Sequence, residues 1–270
     1  MATGVRPSAG ATVIIIGERI NGQFSRVGHA IDKRDSKFIQ DLAVEQTQAG
    51  ADILDLNTGP GRDDAPAAMA WLVRTVQDAA QVRLSIDSPS LKVQEAGLTE
   101  CKLEAVINST TAEPKRMERF LPLAREHAAE IVCLTIDEKG IPNTTEARAE
   151  IAMALLAGAM DAGISPDKMY LDPVILPVSA AQAQGPVVCE SITALRALST
   201  PPPRTLVGLS NVSSGAEERG LLNRTYLAML LGRGLDAAIV DPNDTELMRV
   251  LKASEILLNR RLYAHSFLRA

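Results

Sequence analysis

The stretch Asp52 to Asp87, "DILDLNTGPGRDDAPAAMAWLVRTVQDAAQVRLSID", contains one complete repeat of the fold. It starts with a short apolar run, Asp52 to Asn57, interrupted by Asp55 and closed by Asn57. A polar, glycine-containing loop follows, then an Ala- and Leu-rich segment from Ala65 to Ala80, then a second short run from Arg83 to Asp87. Short apolar runs suit strands buried on both faces, and the longer segment between them suits a crossover helix, so the stretch reads as a β-α-β unit.

The alternation continues in both directions. Upstream lies "TVIIIG" (Thr12 to Gly17); downstream lie "EAVINS" (Glu104 to Ser109), "IVCLTI" (Ile131 to Ile136), "KMYLD" (Lys168 to Asp172), "TLVGLS" (Thr205 to Ser210) and "DAAIVD" (Asp236 to Asp241). Helices are expected over Ser36 to Ala49, Ala65 to Ala80, Pro114 to Ala129, Thr145 to Ala162, Pro186 to Leu198, Leu221 to Gly232 and Thr245 to Asn259, with a short one at Leu91 to Ala96. Asp35-Ser36, Thr144-Thr145 and Asp244 stand where a helix start needs acceptors for its first N–H groups. Eight such units in one chain of 270 residues predict an α/β fold, a single (β/α)8 TIM barrel. A doubly wound open sheet is the structural alternative, and it usually carries a glycine fingerprint after its first strand, which this chain lacks. Residues 1–12 are expected to form a disordered arm, and residues 13–270 the barrel.

Composition limits the function classes. With 46% hydrophobic and 23% charged residues, the chain can bury a full core. A formal net charge of -5 disfavours nucleic acid and anionic membrane as partners, since phosphate contacts need clustered Lys and Arg. No apolar run is long enough to span a bilayer, and the N-terminal residues lack the apolar core of a signal peptide. Cys101, Cys133 and Cys189 are scattered and match neither a disulfide framework nor a metal-binding spacing, so a reducing, cytoplasmic setting is expected and no metal site.

In a barrel of this class the chemistry sits at the C-terminal ends of the strands. Those ends carry Glu18, Arg19 and Asn21; Asp55 and Asn57; Asp87 and Ser88; Asn108 and Ser109; Asp172 and Pro173; Ser210 and Asn211; and Asp241. Asp and Asn dominate the rim, which has no Lys for a Schiff base and no His for a Ser triad or a hydrolytic metal centre. His29, His127 and His265 fall in a loop, at a helix end and near the C-terminus, where ordinary solvated or capping roles suit them. A carboxylate accepts two parallel N–H bonds and an Asn amide donates and accepts side by side, which together match the 2-amino-4-oxo-pyrimidine edge of a pterin. The competing reading is that Asp87, Asn108 and Asp172 merely cap the helices that follow.

The segments "IIIGERING", "DILDLNTGP", "SIDSPS", "VINSTTAE", "YLDPVILP" and "VGLSNVSSG" resemble the strand ends of methyltetrahydrofolate:corrinoid methyltransferases, a family that includes the methyltransferase serving the corrinoid iron-sulfur protein and the folate domain of cobalamin-dependent methionine synthase. The resemblance runs from about Val13 onward. It implies a homodimeric pterin-binding barrel that moves a methyl group between N5 of tetrahydrofolate, or 5-methyltetrahydrofolate, and the cobalt of a corrinoid (cobalamin). It also implies that Asp87, Asn108 and Asp172 bind the pterin, that Gly208 and Ser210 shape the floor, and that Asn211 meets N5 while Arg219 lies near the folate. Asn211 and Asp87 are the catalytic residues expected. Where relatives have a Gln three residues after that Asn, this chain has Ser214, which is too short for the same reach. The chain lacks an Asp-x-His-x-x-Gly signature for holding cobalamin, so the corrinoid is expected on a separate protein. Dihydropteroate synthase shares the pterin pocket but needs basic residues after the seventh strand, where this chain reads "GLSNVS". A non-catalytic folate-binding protein is the third reading.

Overall fold

A computed structural model describes residues 12–263. Residues 1–11 of the expected arm, and the tail that contains His265, lie outside the described residues. Eight parallel strands close into a barrel in chain order, the first pairing with the eighth. They are β1 (Ile14–Asn21), β2 (Ile53–Asn57), β3 (Arg83–Asp87), β4 (Val106–Thr111), β5 (Glu130–Leu134), β6 (Met169–Asp172), β7 (Arg204–Gly208) and β8 (Ala237–Val240). Outside them run α1 (Ser25–Lys33), α2 (Ser36–Gln48), α3 (Ala65–Gln77), α4 (Leu91–Glu100), α5 (Pro114–Glu126), α6 (Thr145–Asp161), α7 (Val178–Ala181), α8 (Gln184–Arg196), α9 (Arg219–Gly232) and α10 (Thr245–Leu257). The (β/α)8 expectation holds.

Side chains alternate across each strand, and that alternation divides the core into two. Ile16, Ile53, Val106, Val132, Tyr170, Leu206 and Ala237 pack together inside the barrel. The opposite parity, including Leu54, Leu56, Leu84, Ile86, Ile107, Ile131, Cys133 and Leu171, packs against the helices. At the N-terminal end of the barrel, Glu130 is buried and receives bonds from Arg83 Nη2 (2.6 Å), Arg204 Nη1 (2.6 Å) and the Tyr170 hydroxyl (2.8 Å). This closed polar pin plugs the end opposite the mouth.

The three expected caps form: Asp35 accepts from Phe38 N, Thr144 from Ala147 N and Asp244 from Leu247 N. Helix α1 was not expected from the sequence, and His29 lies within it rather than in a loop. It starts without a capping side chain and carries Gly28, a poor helix former. The reason for Gly28 is tertiary, because a Cβ there would stand 2.7 Å from the Gly22 carbonyl oxygen. The short α7 was not expected either, and several boundaries shift, β1 running on past Gly17 to Asn21 among them. Helix α4 continues to Glu100, and β7 stops at Gly208 while Leu209–Ser213 wind into a 3-10 turn. Ser210 and Asn211 therefore sit on that turn and not on the strand.

Candidate active site

Stepping by two along each strand from the interior apolar layer leads to the mouth. Ile16 leads to Glu18, Ile53 to Asp55 and Asn57, Val106 to Asn108, Tyr170 to Asp172, Leu206 to Gly208, and Ala237 through Ile239 to Asp241. On β3, Ser85 leads to Asp87 by the same rule, so the polar residues at the strand ends share the parity that faces the barrel axis.

Hydrogen bonds organise one half of this layer. Asp55 Oδ1 accepts from Ser85 Oγ at 2.6 Å and from Asn108 Nδ2 at 3.1 Å. Asn57 Nδ2 donates to Asp87 Oδ2 at 2.7 Å, and Asn57 Oδ1 accepts from Gly59 N at 2.7 Å, so the amide is fixed in one orientation. Gln94 of α4 is fully buried, and its Nε2 donates to the carbonyl oxygens of Ile86, Ser88 and Asn108 at 2.8–3.0 Å, holding the ends of β3 and β4 together. Across the mouth, Asp172 Oδ1 accepts from Val174 N at 2.7 Å. Among the described residues, Asp87 Oδ1, Asn108 Oδ1 and Asp172 Oδ2 have no protein partner. They present three acceptors to whatever enters the mouth.

None of those three residues caps the next helix, since Ser90, Glu113 and Pro177 occupy the cap positions of α4, α5 and α7. Their neighbours close short local turns instead: Ser88 Oγ accepts from Ser90 N, Asn21 Oδ1 from Gln23 N and Asp241 Oδ1 from Asn243 N, each two residues on and ahead of the helix that follows.

The other half of the mouth is built on the turn after β7. Ser210 Oγ donates to Glu18 Oε2 at 2.9 Å, Ser213 Oγ donates to the Ser210 carbonyl at 3.1 Å, and Arg219 Nε donates to Ser213 Oγ at 3.2 Å. Arg219 thus braces the turn from the start of α9. Arg19, at the rim, pairs with Asp241 at 2.7 Å. The Asn211 side chain is exposed and has no protein partner among the described residues. Its Nδ2 lies 3.0 Å from where a Cβ on residue 208 would be, so the glycine leaves the amide its room. Ser214 donates its N–H to the Asn211 carbonyl, and its own carbonyl accepts from Ser179 Oγ at 3.1 Å.

The mouth holds its acids against ionisation. Burial raises Asp55 well above the usual carboxylate range, with the charge of Asp87 adding to it against the bonds from Ser85 and Asn108. Burial raises Asp87 as well, opposed by Asn57. Asp172 is pushed up to about 7 by burial, against the Val174 bond and the charge of Arg148. Glu18 is raised by burial and by Asp241, with Ser210, Arg219 and Arg19 pulling the other way. The mouth thus combines carboxyls raised by burial, acceptors facing inward and one amide without a protein partner, with no basic residue on the turn itself.

Glu18 and Asp55 stand at the strand ends read from the sequence, yet only the hydrogen-bond pattern gives them a part in the site. Strand parity was the available signal, because each lies two residues beyond an interior apolar position. Gln94 had none: it sits in a helix, where a polar residue normally marks a solvated face.

The family model described as pterin binding enzyme matches residues 17–241. The chain is 31% identical over 261 residues to methylcorrinoid:tetrahydrofolate methyltransferase of Eubacterium limosum, covering 94% of this chain and 96% of that protein. It is 32% identical over 241 residues to methionine synthase of Mycobacterium leprae, covering 85% of this chain but only 20% of that longer protein. Among solved structures, dihydropteroate synthase from Xanthomonas albilineans in complex with 7,8-dihydropteroate superposes with a TM-score of 0.68 at 13% identity, covering 92% of this chain and 93% of that one. At that identity the likeness speaks for the barrel alone.

Proposed function

The chain belongs to the pterin-binding enzymes and, among them, to the methyltetrahydrofolate:corrinoid methyltransferases, and on that footing we propose that it moves a methyl group between N5 of tetrahydrofolate and the cobalt of a corrinoid on a separate protein. The observation that carries the reading is the contrast across the mouth. Asp87, Asn108 and Asp172 offer free acceptors on one side, and an uncharged, unpartnered Asn211 stands over Gly208 on the other. The 2-amino and ring N–H groups of a pterin are donors that suit the first side.

When the folate is the methyl donor, its N5 is an amine leaving group and must take up charge compensation as the carbon–nitrogen bond breaks. An Asn amide can turn to hydrogen-bond that nitrogen as its basicity grows, without holding a permanent charge against the neutral cofactor. The corrinoid supplies the cobalt that accepts or gives the methyl group. The proton required at N5 comes, in this reading, from the mouth's own acids: Asp87 and Asp55, and Glu18, which touches the same turn through Ser210. Asp87 then both faces the pterin and lies beside Asp55 as a carboxyl raised by burial.

Dihydropteroate synthesis would place a diphosphate leaving group near the turn after β7. Leu209–Ser213 carry no basic residue, and the nearest, Arg219, is engaged by Ser213. The chain is also proposed to form a homodimer through α6, whose outer face carries Met153 (51% exposed) and Met160 (57% exposed) with Ala154 and Ala157 between them.

The deciding experiment follows the cobalt absorption spectrum when purified protein is mixed with reduced or methylated cobalamin, or with a corrinoid protein, and either folate. Folate-dependent interconversion of the two cobalt forms is expected. Tight folate binding with no spectral change for any corrinoid would instead favour a non-catalytic folate-binding protein.

A further inference from the structure

The mouth accounts for the pterin end of a folate and leaves the other end to be placed. In a folate the p-aminobenzoyl group hangs from C6, beside N5 and on the far side of the ring system from the 2-amino-4-oxo edge. With that edge at Asp87, Asn108 and Asp172 and with N5 at Asn211, the tail departs on the β7 side. The next strands around the barrel are β8 and β1. The rim is low there, because only residues 241–244 join β8 to α10, and Arg19 near the end of β1 reaches across to Asp241.

Beyond Arg19, two clefts lie side by side against α1 and α2. The inner one, of about 580 Å³, is lined by Arg19, Phe24, Arg26, Phe38, Asp41 and Glu45 among others. Its two cations balance its two acids, and Arg19 stands over the ring of Phe24, which is 48% exposed, so this cleft suits an uncharged aromatic amide. The outer cleft, of about 380 Å³, shares Arg26 and Phe38 but adds His29 and Lys33 against a single acid, Asp35, which is engaged as the cap of α2. Residues 26, 29 and 33 fall on one face of α1, a row about 10 Å long at 1.5 Å per residue. All three are exposed, and none forms an ion pair or a side-chain hydrogen bond among the described residues. The Arg26 guanidinium rests over the Phe38 ring, 5.6 Å from its centre, which holds the charge at the cleft. The helix beneath is fixed: Val27, Ala30 and Ile31 are buried, Asp32 accepts from Arg62 at 2.6 Å, and Arg34 pairs with Asp64 at 2.5 Å. An unpaired basic row on a rigid support, in a chain whose net charge is -5, calls for an anionic ligand.

We propose that this face of α1 binds the γ-linked polyglutamate chain of the folate, with Arg26 and Lys33 receiving its carboxylates after the p-aminobenzoyl group has crossed the inner cleft. The proposal rests on the folate reading of the mouth. Each added glutamate brings one more carboxylate, whereas the pterin end is the same in every form of the substrate. The row therefore acts on the ratio of affinities between long and short tails.

The test is calorimetric binding of 5-methyltetrahydrofolate in its monoglutamate and triglutamate forms to the full chain, for wild type, Arg26→Ser with Lys33→Ser, and Arg26→Glu with Lys33→Glu. An exposed charge pair is worth up to roughly fivefold in affinity, so the wild type is expected to prefer the triglutamate by on the order of tenfold at low ionic strength. That preference should shrink in 1 M salt, which screens exposed pairs. The ratio should fall to about one in the serine variant and reverse in the glutamate variant, while Arg26→Lys with Lys33→Arg should retain a preference. Because the substituted side chains are exposed, thermal melts should show all three variants folded. Equal wild-type affinity for the two forms, or a triglutamate preference that survives in the glutamate variant, would overturn the proposal. So would equal affinities combined with slower methyl transfer to a corrinoid protein in the variants, which would assign the row to that partner. Failure of the wild type to bind either form would overturn the folate reading instead.

Discussion

At the scale of single residues, the site depends on what Asn211 is not bonded to. Its amide is exposed and has no protein partner among the described residues, and it stands above a glycine that gives it room to turn toward a ligand. Asn211→Ala should lower the rate of methyl transfer on the order of a hundredfold, as loss of one donor aimed at developing charge does, with folate affinity largely kept. Stopped-flow cobalt spectra checked against equilibrium folate binding make the measurement, and transfer at the wild-type rate would remove Asn211 from the mechanism. The places of Asp87, Asn108 and Asp172 at the ends of β3, β4 and β6 were legible in the sequence, because the β/α alternation marks the strand ends. Their partners were not legible, since the Asp55–Asn108 and Asn57–Asp87 bonds join residues 53 and 30 positions apart.

At the scale of elements, a buried side chain of one helix sets the spacing of two strands. The Gln94 amide reaches three carbonyl oxygens at the ends of β3 and β4, the strands that carry Asp87 and Asn108. Gln94→Ala strips those buried carbonyls of a donor and should cost about 1–3 kcal/mol in urea unfolding, with weaker folate binding as the two strand ends loosen. Unchanged stability would mean that water replaces the amide there. Helix α6 supports a second prediction. It is apolar on its outer as well as its inner face, a pattern that suits burial on both sides. Met153→Glu together with Met160→Glu should turn a dimer into a monomer in analytical ultracentrifugation, and a wild-type chain that sediments as a monomer would end the dimer proposal. Helices with a capping side chain were readable from the sequence, as Asp35, Thr144 and Asp244 demonstrate. Helix α1 was hidden, because Gly28 answers a close approach to Gly22 that no local pattern records.

At the scale of the whole molecule, the two ends of the barrel respond to pH in opposite ways. A carboxyl raised by folding lends stability below its unfolded pKa and loses it as pH climbs through the folded value. Glu18, Asp55, Asp87 and Asp172 are all raised, Asp172 to about 7, so the ligand-free protein should melt higher at mildly acid pH than at mildly alkaline pH. Asp172→Asn should flatten that slope by on the order of a few kcal/mol. Calorimetric melts at several pH values decide it, and a melting temperature that rises steadily toward alkaline pH would contradict the raised carboxyls. Glu130, at the far end, acts in the reverse sense. Burial opposes its ionisation, but the bonds and charges of Arg83 and Arg204 outweigh this and hold it below its ordinary 4.5, so its contribution is present above that pH and fades only in stronger acid. The sequence by itself determined the barrel, the end of it that carries the chemistry and the residue types on that rim, because strand parity and β/α alternation are local regularities written along the chain. Only the tertiary structure decided which carboxyls burial raises, that Gln94 ties the ends of β3 and β4 together, and that Asn211 lies on a 3-10 turn without a protein partner among the described residues. Those properties depend on burial and on distances between residues far apart in the chain, which no local pattern encodes.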